Sequence, residues 1–177
     1  MTDKITNGLD IVYKDMFRCY EDKAIEFLEI GIASGSSLLM FKDMLPKANL
    51  YGIDIQVPDM IHERQIRLEQ INQNDTARLQ WFALAVGRFD VVIDDGSHFT
   101  EETKNTFDVF WKYIPEGGIY VIEDWAISFA KDLGYYQVNK DKVIGMGNLV
   151  CELTSHKDVK SFNIIANNKH SYAVYYK

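Results

Sequence analysis

Apolar residues recur along the chain in two alternating rhythms. Short, nearly continuous apolar runs predict buried strands over Glu26–Ile32, Asn49–Ile55, Gln65–Ile71, Phe89–Asp94 and Gly117–Asp124. Between them, helical spacing predicts a helix over Ser36–Leu45, with Leu38, Phe41 and Leu45 on one face and Pro46 as a stop. A second helix is expected over Asn74–Val86, with Asp75 placed to cap its start. A third is expected over Thr100–Ile114, where Phe107, Phe110, Trp111 and Ile114 form a stripe, and a fourth over Val143–Leu153. Two last strands, Ser161–Asn167 and Ser171–Lys177, flank the short Asn168-Lys169-His170 segment and read as a hairpin.

Strand–helix alternation with apolar strands implies a parallel sheet covered on both faces. The terminal hairpin adds an antiparallel strand. The expected fold is therefore α/β and Rossmann-like, with a mostly parallel seven-stranded sheet and helices on both faces. Residues 1–177 are expected to form one domain, with 1–24 a helical segment packed on the core.

Composition narrows the function classes. Hydrophobic residues make up 47% of the 177 and aromatics 13%, which are globular values. The net charge of −7 opposes binding to bulk nucleic acid, whose affinity comes largely from Lys and Arg on phosphates. No apolar run approaches the roughly 20 residues needed to span a bilayer. The start MTDKITNGLD carries no apolar signal segment, so a cytoplasmic location is expected, without membrane partners. Cys19 and Cys151 belong to no paired motif and read as reduced thiols.

The chemistry concentrates in the loops that follow strands. Glu29, Gly31 and Gly35 form an E-x-G-x-x-x-G pattern between the first strand and the first helix of the alternation. Gly31 allows a sharp turn and Gly35 a close approach of backbone to a ligand. Ser36 and Ser37 open the helix, whose free N–H groups face the loop. A nicotinamide fingerprint would need glycine where Ala33 and Ser36 stand, so that pattern fails. Asp54 ends the second strand and can accept hydrogen bonds from both hydroxyls of a ribose. Together these features favour a nucleoside ligand.

Acids gather further on. Asp94 and Asp95 end the fourth strand, with His98 just beyond, and Glu123 and Asp124 end the fifth. Such acids also occur in ordinary turns. Here four of them open onto one crevice, where they repel one another unless a cation intervenes. Oxygen ligands of this kind suit Mg2+, with Mn2+ or Ca2+ as substitutes, and no zinc-type set is present.

With these residues the chain resembles the class I S-adenosylmethionine-dependent methyltransferases. NLYGIDI, FDVVIDDGSH and GGIYVIEDW, in this order, resemble the metal-dependent sugar O-methyltransferases of the macrocin and mycinamicin type and the related cephalosporin-hydroxylase-like group. The resemblance runs from TDK near the start to the final VYYK. Two departures bear on the acceptor: Asn7-Gly8-Leu9 stands where that group often has His-Gly-Tyr, and the segment after IEDW is short.

The resemblance implies S-adenosylmethionine as cofactor, held by Glu29, Gly31, Ala33, Gly35, Ser36, Asp54 and Ile55. Gln73 and Asp75 are implied near the adenine, and Asp94 on the cofactor side or capping a loop. It implies Asp95, Glu123 and Asp124 as ligands of Mg2+ and His98 as catalytic base. The partner is then a small acceptor with hydroxyl groups, a sugar or a catechol-like diol. A homo-oligomer lending a lid is a further expectation. Trp125 reads equally as an acceptor wall or as packing, and His170 as a residue of the active-site mouth or of the hairpin. A cofactor-binding module without catalysis and a nucleic-acid methyltransferase stay as alternatives.

Overall fold

The structure is a computed structural model and describes residues 2–58, 63–130, 134–167 and 170–177, with Tyr135 described by its backbone alone. Two short helices come first, α1 (Asp3–Asn7) and α2 (Leu9–Met16). Gly8 separates them with a left-handed φ of 85°. The strands are β1 (Glu26–Ile30), β2 (Asn49–Asp54), β3 (Ile66–Gln70), β4 (Val91–Asp94), β5 (Ile119–Glu123), β6 (Ser161–Ala166) and β7 (Ser171–Tyr176). The other helices are α3 (Ser36–Met44), α4 (Thr76–Val86), α5 (Thr100–Phe110), α6 (Lys140–Val143) and α7 (Met146–Leu153).

All seven strands join one sheet in the order β3-β2-β1-β4-β5-β7-β6. β1 to β5 run parallel, and β7 lies antiparallel between β5 and β6. The expected mixed sheet with its terminal hairpin is present. Asn168 and Lys169 of the expected hairpin turn lie outside the described residues. The chain winds outward from β1 to β3 and then returns to lay β4 against the other edge of β1. A crevice opens at that reversal, outside the carboxyl ends of the strands.

Each face of the sheet has its own core. Leu28, Ile30, Val92, Tyr120 and Ile122 pack with Phe82, Phe107, Phe110 and Leu149 of α4, α5 and α7. Phe27, Val91, Ile93, Ile119 and Val121 pack with Leu9, Tyr13, Leu38 and Phe41 of α2 and α3. Successive strand residues alternate between these faces. Burying each large apolar side chain contributes about 1.5–3 kcal/mol, which fixes the register of every strand.

Most element ends shift by one or two residues from the sequence expectation, and three differences bear on the packing or the site. α5 stops at Phe110; Trp111–Tyr113 continue as a 3-10 turn and Ile114 is extended. Phe107, Phe110, Trp111 and Ile114 are nevertheless all buried in one core. The helix expected from Val143 is split, because Ile144 and Gly145 separate α6 from α7. A Cβ on Gly145 would come within 3.0 Å of the Thr100 side chain, so the junction presses on the start of α5. β5 begins at Ile119 and ends at Glu123, leaving Asp124 in a left-handed conformation with φ 49°.

Candidate active site

Three strand ends build the crevice. Gly31 leaves β1 with φ 82° and donates its N–H to Ile53 O at 2.8 Å, while Asp95 N–H bonds Ile30 O at 2.9 Å. The loops after β1 and β4 therefore touch. Asp54 ties the first loop from below. Its Oδ2 accepts from Ile32 N at 2.9 Å and Ala33 N at 3.0 Å, and its Oδ1 from Gln56 N at 3.0 Å. A cavity of about 490 Å3 lies over these ends, and Gly31, Ala33, Asp54, Ile55, Gln73 and Asp95 are on its wall. A wider groove of about 920 Å3 runs between the N-terminal helices and α3, with Ser36 on its wall. Gly35 adopts φ 75° at the N-cap of α3.

Strand alternation sorts the acids. On the face carrying Phe27, Ile93 and Val121, the next positions of the same parity are Glu29, Asp95 and Glu123. On this face they meet Lys4 of α1, which is 2% exposed. Lys4 Nζ lies 2.5 Å from Asp95 Oδ2, 2.7 Å from Glu123 Oε1 and 3.9 Å from Glu29 Oε1. Tyr13 OH donates to the same Glu123 Oε1 at 2.6 Å, and Ser37 Oγ donates to Glu29 Oε2 at 2.8 Å.

Burial disfavours every charge here. It pushes Glu29 up to about 8, against the attraction of Lys4 and the Ser37 hydrogen bond. It raises Glu123 to about 7, with Asp95 adding repulsion, and Asp95 to about 6, with Lys4 opposing. Burial also works against the Lys4 ammonium, but Asp95, Glu123 and Glu29 together hold its pKa well above the ordinary value.

Asp94 has the opposite parity and points into the other face. It accepts from Thr106 Oγ1, from Tyr120 OH at 2.9 Å, from Gln73 Nε2 at 3.2 Å and from Gly96 N at 3.4 Å. Of the two places expected for it, the cofactor side or the cap of a loop, these bonds show the second: it braces the loop that carries His98. Gln73, expected at the adenine, closes the same brace through Ser97 N–H to its Oε1 at 2.8 Å. A Cβ on Gly96 would come within 2.4 Å of that Oε1, so a larger residue there would displace the Gln73 amide from the loop. Asp75 caps α4 by accepting from Arg78 N at 3.0 Å and lines a neighbouring shallow groove with Ile55. The structure brings Gln73 to the cavity but leaves Asp75 outside it.

His98 stands at the lip. Its φ is 55° and it is 8% exposed. Nε2 lies 3.8 Å from Asp95 Oδ1, and ligand atoms of Asp95, His98 and Asp124 fall within 4.8 Å of one another. Burial lowers the His98 pKa below its ordinary value, against the pull of Asp124, Asp94 and Glu123. Among the described residues, the non-glycine residues with positive φ are Ala33, His98 and Asp124. They sit one each on the loops after β1, β4 and β5. Such conformations persist where surrounding structure enforces them, and they cluster at working sites.

A family described as "Methyltransferase domain" matches residues 28–125, more than half the chain. The chain belongs to this methyltransferase-domain family. It is 38% identical over 119 residues to mycinamicin VI 2''-O-methyltransferase of Micromonospora griseorubida, covering 63% of this chain and 30% of that one. It is 37% identical over the same length to demethylmacrocin O-methyltransferase of Streptomyces fradiae, again covering 63% and 30%. This methyltransferase-domain chain thus spans about a third of the length of the curated relatives it matches. A solved structure of MycE methyltransferase, in complex with Mg, SAH and mycinamycin VI, superposes with a TM-score of 0.75 at 26% identity, covering 94% of this chain and 49% of that one.

Several residues of the methyltransferase-domain site escaped the sequence. Lys4 and Tyr13 lie about ninety or more positions from the acids they hold. Their only local signal is a lysine beside a stripe of Leu9, Tyr13 and Phe17. Phe99 and Tyr136 pack edge to face at 6.0 Å, and the His98 ring lies 5.9 Å from that of Tyr136. Trp125, left open between two roles, donates its indole N–H to Ile165 O at 3.2 Å and packs against the core. His170 bonds Asn167 and stacks on Tyr172 at 5.6 Å. No described helix is long and apolar enough to cross a membrane, and both cysteines are exposed free thiols.

Proposed function

We propose that this protein is an S-adenosylmethionine-dependent O-methyltransferase, assisted by a divalent cation such as Mg2+, whose acceptor is a hydroxyl on a sugar unit of a small natural product. The observation that carries this reading is the meeting of two features at one sheet reversal. One is the cavity walled by Gly31, Asp54 and Ile55. The other is the set of Asp95, His98 and Asp124 with ligand atoms within 4.8 Å. The relatives named above support the choice of reaction and acceptor class.

The residues fit a hard divalent ion. Asp95 and Asp124 offer carboxylate oxygens within 4.8 Å of each other, and Glu123 reaches the same Lys4 as Asp95. When bound, such an ion lowers the pKa of a coordinated hydroxyl and fixes its position. The remaining work falls to the chain. Asp54 is placed to accept from ribose hydroxyls, and the Gly31 turn keeps the loop low enough for a cofactor to lie over it. Burial disfavours the charged form of His98, and its Nε2 is the atom that would receive the acceptor proton as the oxygen–methyl bond forms and the methyl–sulfur bond breaks. Phe99 and Tyr136 beside His98 give an apolar wall on which a sugar ring can rest. Holding oxygen, methyl and sulfur in line supplies much of the remaining acceleration.

Calorimetric titration with S-adenosylhomocysteine, with and without Mg2+, tests the cofactor. Binding that Asp54→Ala weakens by about 1–3 kcal/mol is expected. Absence of binding to the wild type would overturn the reading. Incubation with labelled S-adenosylmethionine, Mg2+ and a panel of sugar and catechol diols then tests the acceptor class.

A further inference from the structure

We propose that Lys4 is a resident counter-ion of the acid cluster: it holds Glu123 and one oxygen of Asp95 from the inner side, and so limits how tightly the outer oxygens bind a divalent cation. The proposal rests on the metal-assisted reading above, and concerns a residue which that reading leaves out.

The geometry supports it in three ways. Lys4 is almost fully buried, and a buried ammonium is tolerated only where acids surround it. Its Nζ engages Asp95 through Oδ2 at 2.5 Å, whereas the other oxygen, Oδ1, is the one turned toward His98 at 3.8 Å. One carboxylate thus faces a fixed cation on one side and the crevice on the other. Glu123 receives both Lys4 and Tyr13 on Oε1, which anchors it toward the N-terminal helices. Glu29 Oε1 is buried without a hydrogen-bond partner and faces the same ammonium at 3.9 Å.

Charge decides the consequence. The side chains of Glu29, Asp95 and Glu123 all face the Lys4 ammonium. A divalent ion bound to Asp95 Oδ1 would sit a few ångströms from Lys4 Nζ, where like charges repel strongly at the low effective dielectric of a protein interior. Lys4 therefore weakens binding of the ion and keeps it exchangeable, while it stops the acids from repelling one another. A role confined to packing α1 against the sheet would not act in this direction.

The test is calorimetric titration of Mg2+ into the full chain saturated with S-adenosylhomocysteine. The proteins compared are wild type, Lys4→Met, Lys4→Gln and Lys4→Arg. Removing the charge should tighten Mg2+ binding about tenfold or more in Lys4→Met and in Lys4→Gln. Lys4→Arg, which keeps the charge, should stay within about threefold of wild type. If Lys4→Met fails to fold, Lys4→Gln decides the charge effect. Folded neutral variants that bind Mg2+ no more tightly than wild type would overturn the proposal and leave the metal reading standing. If no variant binds Mg2+, both fall together.

Discussion

Gly31 and Asp95 are the first residues after β1 and β4, and a Cβ added to Gly31 would stand 2.2 Å from the Asp95 carbonyl oxygen. That oxygen is backbone and cannot rotate aside. The cofactor turn and the acid-bearing turn are therefore packed so closely that one cannot shift without the other.

Gly31→Ala should damage both functions at once. The left-handed φ of 82° adds strain to the clash, and a cost of about 2–4 kcal/mol is expected. Gly87→Ala is the control, because φ is 84° there but an added Cβ meets nothing within 4 Å. It should cost about 1 kcal/mol. Urea denaturation compares the two. Equal losses would mean that backbone strain, rather than contact with Asp95, explains the glycine.

His98→Ala should reduce turnover by about 10²–10⁴-fold, the usual contribution of general base catalysis. Affinity for S-adenosylhomocysteine should hardly change. In the wild type, kcat/KM should fall as pH drops, because protonated His98 cannot accept a proton. Burial lowers the His98 pKa, so the midpoint of that limb should lie below about 6.5. A variant that kept near-normal turnover on a true acceptor would remove His98 from the chemistry.

Asp94→Ala should act on stability before it acts on binding. It strands the donors of Thr106, Tyr120 and Gln73 in the core, at an expected cost of about 2–4 kcal/mol. Burial already raises the Asp94 carboxyl to about 6, so Asp94→Asn should be milder than Ala. Thermal melts and cofactor titration separate the effects. Full stability with lost cofactor affinity would return Asp94 to the ligand.

Glu29 makes a signed pH prediction. Its ordinary value of 4.5 rises to about 8 in the folded chain, chiefly through burial. The folded state thus keeps a proton that the unfolded chain has lost. The associated stability is present below about 4.5 and disappears as pH rises through about 8. Metal-stripped wild type should lose melting temperature between pH 5.5 and 8.5 more steeply than Glu29→Gln. Identical slopes would mean that Glu29 is ionised throughout this range.

The alternation of apolar runs determined the strands, their parity and the mixed sheet, because burial on two faces leaves each strand no other register. That Gly31, Asp54, Asp95 and His98 gather at one end of the sheet was legible for the same reason: loops after strands in such a sheet open onto one crevice. Parity even separated Asp94 from Asp95. What sequence spacing could not supply was the partner on each face. Lys4 reaches Asp95 only because α1 and α2 lie over the sheet, and Gln73 reaches Asp94 only because the loops after β3 and β4 meet. Those pairings depend on how helices dock, a matter of side-chain packing among distant segments. The tertiary structure alone decided that a buried lysine faces the acids from within and leaves the other oxygen of Asp95 toward His98 and Asp124.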